Sequence, residues 1–278
     1  RFHMSNKPLI VMARRAAVAV AATAALAGCA TSTTGSVTGS NRSQLLLVSE
    51  AEMVQASQQA FNQRKSAAQS KGVLITSGAD YNRVTSIMRR LAGQVSHFRP
   101  DAARWNWDLA LIRNDEVNAN VMPGGKVTVY TGLYQKLNLS DDELAAVIGH
   151  EMAHALREHS REQVSQQMAG DMALSIGGSL LGLSGGMMDV AGIAKQLTLD
   201  LPYSRRMETE ADIFGLELAA RAGYNPSAAL TLWQKMAANG AGQGSAFFST
   251  HPNAADRTSR IQAALPQVMP LYQAARRK

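Results

Sequence analysis

The sequence predicts an α+β fold that is mostly helical and contains one small antiparallel sheet. Two observations support this class. Apolar residues recur at helical spacing through long segments on both sides of residue 105. Between residues 105 and 131, by contrast, apolar and polar residues alternate in short runs that turn-forming residues separate. No internal repeat is present in the sequence, and we expect a single domain from 44 to 278.

The first 28 residues resemble a bacterial lipoprotein signal peptide. Arg14 and Arg15 precede an apolar run at 16–26, which is too short to cross a bilayer as a mature helix. Small residues then precede Cys29, the only cysteine, as in a lipobox, so we expect cleavage before Cys29 and its acylation, palmitate included. An ordinary secretory signal is the alternative. Ala30 is not the aspartate that retains lipoproteins at the inner membrane, which favours lipid anchoring on the periplasmic side of the outer membrane.

The composition after the signal argues against a nucleic-acid partner. Serine, threonine and glycine are frequent from 29 to 43, and this segment is predicted to be a flexible tether. The formal net charge is +7, but four of the positive charges lie within 1–28, which contain no acid. No basic stripe interleaved with aromatic residues follows, so we expect no nucleic-acid binding.

The first helices of the domain are predicted from cap residues and apolar spacing. Ser49 followed by Glu52 is a capping box, which opens a helix running to about residue 68. A second helix is expected from Asp80 to about residue 95 because its apolar residues recur every three or four positions.

Three extended runs are expected next, at 105–111, 117–122 and 126–131. Turn residues separate consecutive runs, including Pro123-Gly124-Gly125 before the third. Strands that follow one another through short turns usually pair as hairpins, which predicts antiparallel pairing.

The second half of the chain is predicted to be helical. A second capping box, formed by Ser140 and Glu143, opens a strong helix. Residues 168–199 are rich in glycine, alanine, leucine and methionine, but glycines interrupt the apolar run, so a buried or mobile helical hairpin is expected there instead of a membrane span. Further helices are expected at 208–220 and 226–238.

The helix that opens at Ser140 carries the sequence VIGHEMAHALREH, which contains a His-Glu-x-x-His pattern. Residues four apart lie on one face of a helix, so His150 and His154 can bind one zinc ion at about 2.0–2.1 Å. Glu151 can then reach a water molecule whose pKa the metal lowers, and act as general base. The alternative is an amphipathic helix with two ordinary surface histidines. His159 lies off this face, and a structural role is assigned to it.

The third ligand is expected from the sequence Glu208-Thr209-Glu210-Ala211-Asp212. Glu208 and Asp212 are four apart and share a helix face, whereas Glu210 points elsewhere. Glu208 can complete a His-His-Glu site, and Asp212 can accept a hydrogen bond from the other nitrogen of a zinc-binding histidine, which we expect to be His150. A solvated acidic turn is the alternative. The glycine and third histidine of metzincins are absent downstream.

These motifs together resemble the minigluzincin-type zinc metallopeptidases, the family of HtpX, the CaaX prenyl proteases, BepA and LoiP. The similarity covers most of residues 41–262 and is carried by the sequences SQLLLVSEAE, VNANVMPGGKVTVYTGL, SDDELAAVIGHEMAHALREHSRE, YSRRMETEADIFGLELAARAGYNP and STHPNAADR. With its lipobox and small size, the chain is most similar to outer-membrane lipoprotein members of the LoiP type. The resemblance implies a zincin-like (gluzincin) fold with an active-site helix.

The resemblance also implies the roles of individual residues. One Zn2+ per chain is expected on His150, His154 and Glu208, with Glu151 as the base and Asp212 behind the ligands. His251, in the sequence Thr-His-Pro, is expected either to assist the transition state or to occupy the open zinc position as an inhibitory switch. Arg257 belongs to the same motif and is assigned a structural role.

The segment Asn118-Ala119-Asn120 is expected to form an edge strand that pairs with the backbone of an extended substrate; a plain edge strand is the alternative. The resulting hypothesis is a zinc endopeptidase that cleaves unfolded or misassembled envelope proteins for quality control, in a form that is latent and gated or freely active. The competing hypothesis is a non-catalytic lipoprotein, an adaptor or holdase that binds envelope proteins.

Overall fold

The computed structural model of the chain describes residues 30–31, 42–179, 189–198, 201–240, 246–252 and 255–277. The predicted signal peptide and Cys29 lie outside these residues, as do most of the predicted tether and the middle of the predicted hairpin. The strands are β1 (Ala30–Thr31), β2 (Gln44–Leu45), β3 (Leu74–Ile75), β4 (Asp108–Ile112), β5 (Ala119–Met122) and β6 (Lys126–Tyr130). The helices are α1 (Glu50–Ser70), α2 (Ala79–Ala92), α3 (Thr131–Lys136), α4 (Asp141–Leu156), α5 (His159–Ser179), α6 (Val190–Thr198), α7 (Arg205–Arg221), α8 (Ala228–Gly240), α9 (Ala246–Thr250) and α10 (Arg257–Ala275).

The predicted class is confirmed: the chain is mostly helical with one small sheet of four strands and a two-stranded ladder of β1 and β2. Both predicted capping boxes are present, at the starts of α1 and α4, where each serine accepts a hydrogen bond from the backbone of the glutamate three residues later. Among the helices that the structure describes, none is long and apolar enough to cross a membrane.

The prediction of an antiparallel sheet is wrong in one respect, because the four-stranded sheet is mixed. Its order is β3-β4-β6-β5, with β4 and β6 parallel and the other two pairs antiparallel. After β4 the chain passes beyond the position that β6 later takes, so β6 inserts between β4 and β5. Alternation of apolar residues identifies strands but not the order in which they pair, and the hairpin rule holds only for β5 and β6.

The centre of the domain is α4, which is buried continuously from Glu143 to Leu156. Helix α7 packs against it at a very close crossing of Gly149 and Gly215. A Cβ atom added at Gly215 would lie 2.7 Å from the backbone nitrogen of His150, and one added at Gly149 would lie 3.0 Å from the carbonyl oxygen of Gly215. The two backbones therefore touch without intervening side chains, which brings the side chains of α7 within reach of those on α4.

The N-terminal boundary of the folded domain lies earlier than the predicted tether allows. Ala30 and Thr31 pair with Leu45 and Gln44 in the β1–β2 ladder. Arg42, which was expected within the tether of 29–43, binds the carboxylate of Glu162 on α5 through two hydrogen bonds of 2.6 Å. Arg42 thus contacts the folded unit directly.

Candidate metal centre and active site

Four buried side chains from three parts of the fold converge at one point. His150 and His154 come from consecutive turns of α4, Glu208 from the first turn of α7, and His251 from the residue after α9. One ligand atom from each lies within 4.8 Å of the others, and none of the four side chains is more than slightly exposed. The structure therefore brings together the three predicted ligands and adds His251 to them.

The spacing of these atoms suits a zinc ion. A tetrahedral site with bonds of about 2.0–2.1 Å separates its ligand atoms by about 3.3 Å. The Nε2 atoms of His150 and His154 lie 3.2 Å apart, and those atoms lie 3.6 and 3.3 Å from the nearest oxygens of Glu208. Imidazole nitrogens with one carboxylate form a donor set that catalytic zinc sites use, which fits the predicted cofactor.

The outer sides of His150 and Glu208 contact further charged residues. The Nδ1 atom of His150 lies 3.1 Å from Oδ1 of Asp212, the partner predicted for it, although the two atoms are not aligned for a hydrogen bond. Arg257 donates to Oε2 of Glu208 at 2.6 Å and to Oδ2 of Asp212 at 2.8 Å, and its guanidinium lies 4.1 Å from the ring centre of Trp233. Arg257 therefore holds both acids of α7 in place.

The outer side of His154 is occupied by His159, which sequence reasoning had placed away from the site. Their Nδ1 atoms lie 2.8 Å apart, and Nε2 of His159 lies 2.9 Å from Oε2 of Glu210. The helix breaks between α4 and α5, where Glu158 adopts a positive φ of 52°. This break turns His159 back toward His154, so straight-helix geometry could not reveal the contact; the only sequence signal was the presence of a third histidine nearby.

His251 lies between the ligand cluster and Glu151. Its Nδ1 atom is 2.9 Å from Oε1 of Glu208 and 3.4 Å from Nε2 of His150, while its Nε2 atom is 3.3 Å from Oε1 of Glu151. The ring stacks on Phe247, with 4.3 Å between the ring centres. His251 thus faces the position that a catalytic zinc site must keep open for substrate.

Burial and mutual contacts shift the pKa values of the site. Burial opposes ionisation of Glu208, but its close contacts with His154 and His251 outweigh this effect and hold the pKa of the carboxyl far below its ordinary value. Burial lowers the pKa of His154 well below its ordinary value. The donor set therefore combines an ionised carboxylate with a neutral imidazole, which are the protonation states that bind metal.

A cleft opens beside the cluster and ends at β5. Asn118, Ala119 and Asn120 line this cleft, and so does His251 of the cluster. The other residues that line the cleft are Val121, Met122, Ser160, Gln163, Val164, Gln196, Leu197, Leu201, Tyr203 and Thr250. Within the described residues β5 is the last strand of its sheet, so the predicted substrate segment does border the candidate site.

Comparison with known proteins gives a family match over residues 79–265, to the description "Peptidase family M48". Mitochondrial metalloendopeptidase OMA1 of Schizosaccharomyces pombe is 41% identical over 163 residues, covering 58% of this chain and 47% of the relative. Metalloprotease LoiP of Escherichia coli is 27% identical over 252 residues, covering 88% of this chain and 94% of LoiP. Metalloprotease YcaL of the same bacterium is 27% identical over 158 residues, or 53% of this chain and 58% of YcaL.

The chain spans about half or less of the length of the mitochondrial relatives that it matches, but almost the whole length of LoiP. The matched range contains the capping box of α4, both of its zinc-binding candidates, Glu208 and His251. The similarity therefore includes the entire convergent cluster.

Proposed function

The chain belongs to peptidase family M48, and on that basis we propose that this zinc metalloprotease is an endopeptidase that cleaves unfolded or misassembled proteins in the bacterial cell envelope. The observation that carries the proposal is the buried cluster of His150, His154 and Glu208, together with Glu151, which contacts His251 where that residue lines the cleft. A non-catalytic adaptor or holdase has no need of a base at that position, and family membership argues against it.

The proposed chemistry divides between the metal and the chain. A zinc ion held by His150, His154 and Glu208 would supply Lewis acidity, which polarises a peptide carbonyl and acidifies water. Glu151 follows His150 directly on α4 without being one of the converging donors, and its Oε1 atom lies 3.3 Å from Nε2 of His251, which lines the cleft. In the proposal this carboxylate takes the proton of the attacking water and delivers it to the leaving amine.

His251 is proposed to gate this chemistry. In the structure its Nδ1 atom lies among the donor atoms and its Nε2 atom lies beside Glu151, so the side chain stands between the base and the open position. Moved outward, the same imidazole could stabilise the negative charge that develops on the carbonyl oxygen. The geometry supports an inhibitory position here, and the protein is proposed to be latent until His251 withdraws.

Substrate is proposed to bind along β5 as an added strand. Asn118 accepts a hydrogen bond from the backbone of Tyr130 at 3.2 Å, and Asn120 stands opposite Thr128 in the antiparallel register. Since alternate residues of an antiparallel strand bond to the same neighbour, Ala119 and Val121 direct their backbone groups away from β6. An extended peptide could pair there with little demand on its sequence, which favours unfolded substrates.

The cellular location is proposed from the sequence and the relatives. The lipobox-like sequence before Cys29 and the near full-length similarity to LoiP support a lipid-anchored protein of the outer membrane, facing the periplasm. Replacing Cys29 with serine should move the protein from the membrane to the soluble periplasmic fraction and remove the mass of the acyl chains. Membrane association and mass that do not change in this variant would contradict the anchoring.

The catalytic proposal is tested with three variants and an unfolded substrate such as casein. Glu151→Gln should keep stoichiometric zinc and lose cleavage, whereas His251→Ala should keep zinc and cleave faster than wild type. Arg83→Ala is the control, because it removes an arginine that pairs with Asp141 far from the cluster and should leave cleavage unchanged. Cleavage by Glu151→Gln at the wild-type rate would overturn the role of Glu151, and no effect of either site variant would favour a binding protein.

Binding along β5 is tested by proline substitution. Val121→Pro should weaken substrate binding because it removes an N–H directed at the cleft and none directed at β6. Asn120→Pro is the matched control, since it removes a ladder bond to β6 and should lower stability instead. A Val121→Pro protein that folds and cleaves casein with an unchanged KM would contradict the strand pairing.

A further inference from the structure

A chain of buried polar groups connects His154 to the N-terminal segment of the folded unit. It runs from Nδ1 of His154 to Nδ1 of His159 at 2.8 Å, then from Nε2 of His159 to Glu210 at 2.9 Å, and from Glu210 to Nε of Arg42 at 2.5 Å. His154 and His159 are 1% and 0% exposed, and Glu210 is 5% exposed. Groups this deeply buried need defined partners, so the chain is a fixed part of the structure.

Only one arrangement of protons along this row of hydrogen-bonded groups leaves His154 able to bind zinc. A neutral imidazole carries one N–H. If His159 donated from its Nδ1 atom, the proton of His154 would sit on Nε2, the atom that faces the metal cluster. His154 must therefore donate from Nδ1 to His159, and His159 must donate from Nε2 to Glu210. A carboxylate that accepts this bond fixes the orientation of both rings.

Glu210 is itself held from two sides. Arg157 donates from Nε to Oε2 at 3.1 Å, and Arg42 donates to Oε1. Arg42 also binds Glu162, which accepts a further hydrogen bond from Gln44, and Gln44 donates to the backbone carbonyl of Arg157 at 2.7 Å. The carboxylate of Glu210 is thus positioned by Arg157, the residue that follows α4, and by Arg42 from the N-terminal segment.

We propose that His159 is a positioning residue that fixes the tautomer and orientation of His154 for zinc, with Glu210 and Arg42 as its anchors. The inference rests on the zinc site of the proposed function. It differs from the support of His150, whose carboxylate neighbour Asp212 lies on the same helix face as Glu208. Glu210 lies on another face of α7 and is linked to His154 through the intervening imidazole of His159.

The same contacts link the N-terminal segment to the zinc site. Arg42 is the first residue described after position 31, in the segment that leads back to the predicted lipid anchor. Three contacts, Arg42 to Glu210, Glu210 to His159 and His159 to His154, link this segment to a proposed zinc ligand. Loss of the Arg42 side chain should therefore weaken zinc binding, even though Arg42 lies on the far side of His159 and Glu210 from the metal cluster.

The experiment measures zinc affinity by competition with a chromophoric chelator in purified variants. His159→Phe keeps a ring but no hydrogen-bonding atom, and it should weaken zinc binding about 10- to 100-fold, the usual effect of losing such a partner. His159→Asn places an oxygen where Nδ1 of the histidine lies, so it should retain more affinity than His159→Gln, whose amide lies where Nε2 lies. Arg42→Ala should show a smaller loss than His159→Phe.

Two controls separate positioning from general damage. Urea unfolding of each variant in excess chelator reports the metal-free fold, and the visible spectrum of the Co(II)-substituted protein reports ligand geometry. Arg83→Ala removes an arginine ion pair remote from the cluster and should leave both affinity and spectrum unchanged. If His159→Phe does not fold, the order of His159→Asn above His159→Gln decides alone.

The outcomes are distinct. The positioning role would be overturned if His159→Phe kept the zinc affinity and the Co(II) spectrum of the wild type. It would also be overturned if His159→Asn and His159→Gln bound zinc equally well. Either result would leave the zinc site itself intact. Wild-type protein that binds no stoichiometric zinc would overturn the proposed function as well.

Discussion

Arg257 offers the sharpest test of how the two acids of α7 are held beside the histidines. Its side chain is 2% exposed and donates to Glu208 at 2.6 Å and to Asp212 at 2.8 Å. Replacement by methionine keeps much of the volume but leaves two buried carboxylates without their shared cation. Breaking a buried ion pair by removing one partner costs about 3–5 kcal/mol. That is a large part of the roughly 5–15 kcal/mol that stabilises an ordinary domain.

The assay is urea unfolding followed by circular dichroism, in a Glu151→Gln background that prevents self-cleavage. In excess chelator, Arg257→Met should lower the free energy of unfolding by about 3–5 kcal/mol. In saturating zinc the loss should be smaller, because the metal ion neutralises Glu208 in place of the guanidinium. The difference between the losses of unfolding free energy in the two conditions measures how much of the charge of Glu208 zinc can compensate in place of Arg257.

Arg260→Met is the matched control. Arg260 lies 3.5 Å from the same oxygen of Asp212, but it is 21% exposed on its side chain and pairs mainly with the exposed Asp256. Exposed pairs contribute about 0–1 kcal/mol, so this variant should unfold almost as wild type does. If Arg257→Met also unfolds within about 1 kcal/mol of wild type without zinc, the guanidinium is not what keeps the two carboxylates buried and the reasoning fails.

Three further predictions follow from other parts of the structure. Gly215→Ala should lower the free energy of unfolding by about 1–3 kcal/mol, because the added Cβ would lie 2.7 Å from the backbone of His150. Gly170→Ala is the control: nothing lies within 4 Å of its added Cβ, so it should not destabilise the protein. Equal effects of the two substitutions would argue against the close crossing. Glu143 is buried, which would raise its pKa, but hydrogen bonds from Lys235, Ser140 and Thr231 lower that pKa below the ordinary 4.5. Its stabilising contribution is therefore present above pH 4.5 and lost as the pH falls below it, so Glu143→Gln should cost about 1–2 kcal/mol at pH 7 and progressively less in acid; a pH-independent difference in urea unfolding would contradict this. Removal of zinc with a chelator should lower the melting temperature, and added zinc should raise it again in proportion to the logarithm of its free concentration, whereas a melting temperature that ignores zinc would place the metal outside the folded cluster.

Local signals predicted the elements that carry the site. The capping box at Ser140 and the spacing of His150 and His154 depend only on helix geometry, and both hold in the structure. The pairing of Glu208 with the two histidines was expected from chemistry, since two imidazoles leave a zinc site incomplete. The zinc cofactor and the metallopeptidase family are confirmed, whereas the roles of Glu151, Asp212, His251 and the substrate strand stay predictions.

What the sequence could not predict depends on contacts between distant segments. The insertion of β6 between β4 and β5 follows from how the chain crosses the sheet, which alternation does not encode. The contact of His159 with His154 requires the break at Glu158, where a non-glycine residue takes a positive φ. Arg42 appeared to lie in a tether because its partners, Glu162 and Glu210, are more than a hundred residues away.

The bare crossing of Gly149 and Gly215 separates the geometry of the active centre from the rest of the apolar interior. Main chain touches main chain there, so the distance between α4 and α7 is set by atoms that every residue shares. Substitutions among the leucines, valines and alanines elsewhere on these helices can alter local packing without increasing the distance between α4 and α7. Related proteins could therefore replace much of their apolar core during evolution and still keep the distance between the Glu208 carboxylate and the imidazoles of His150 and His154.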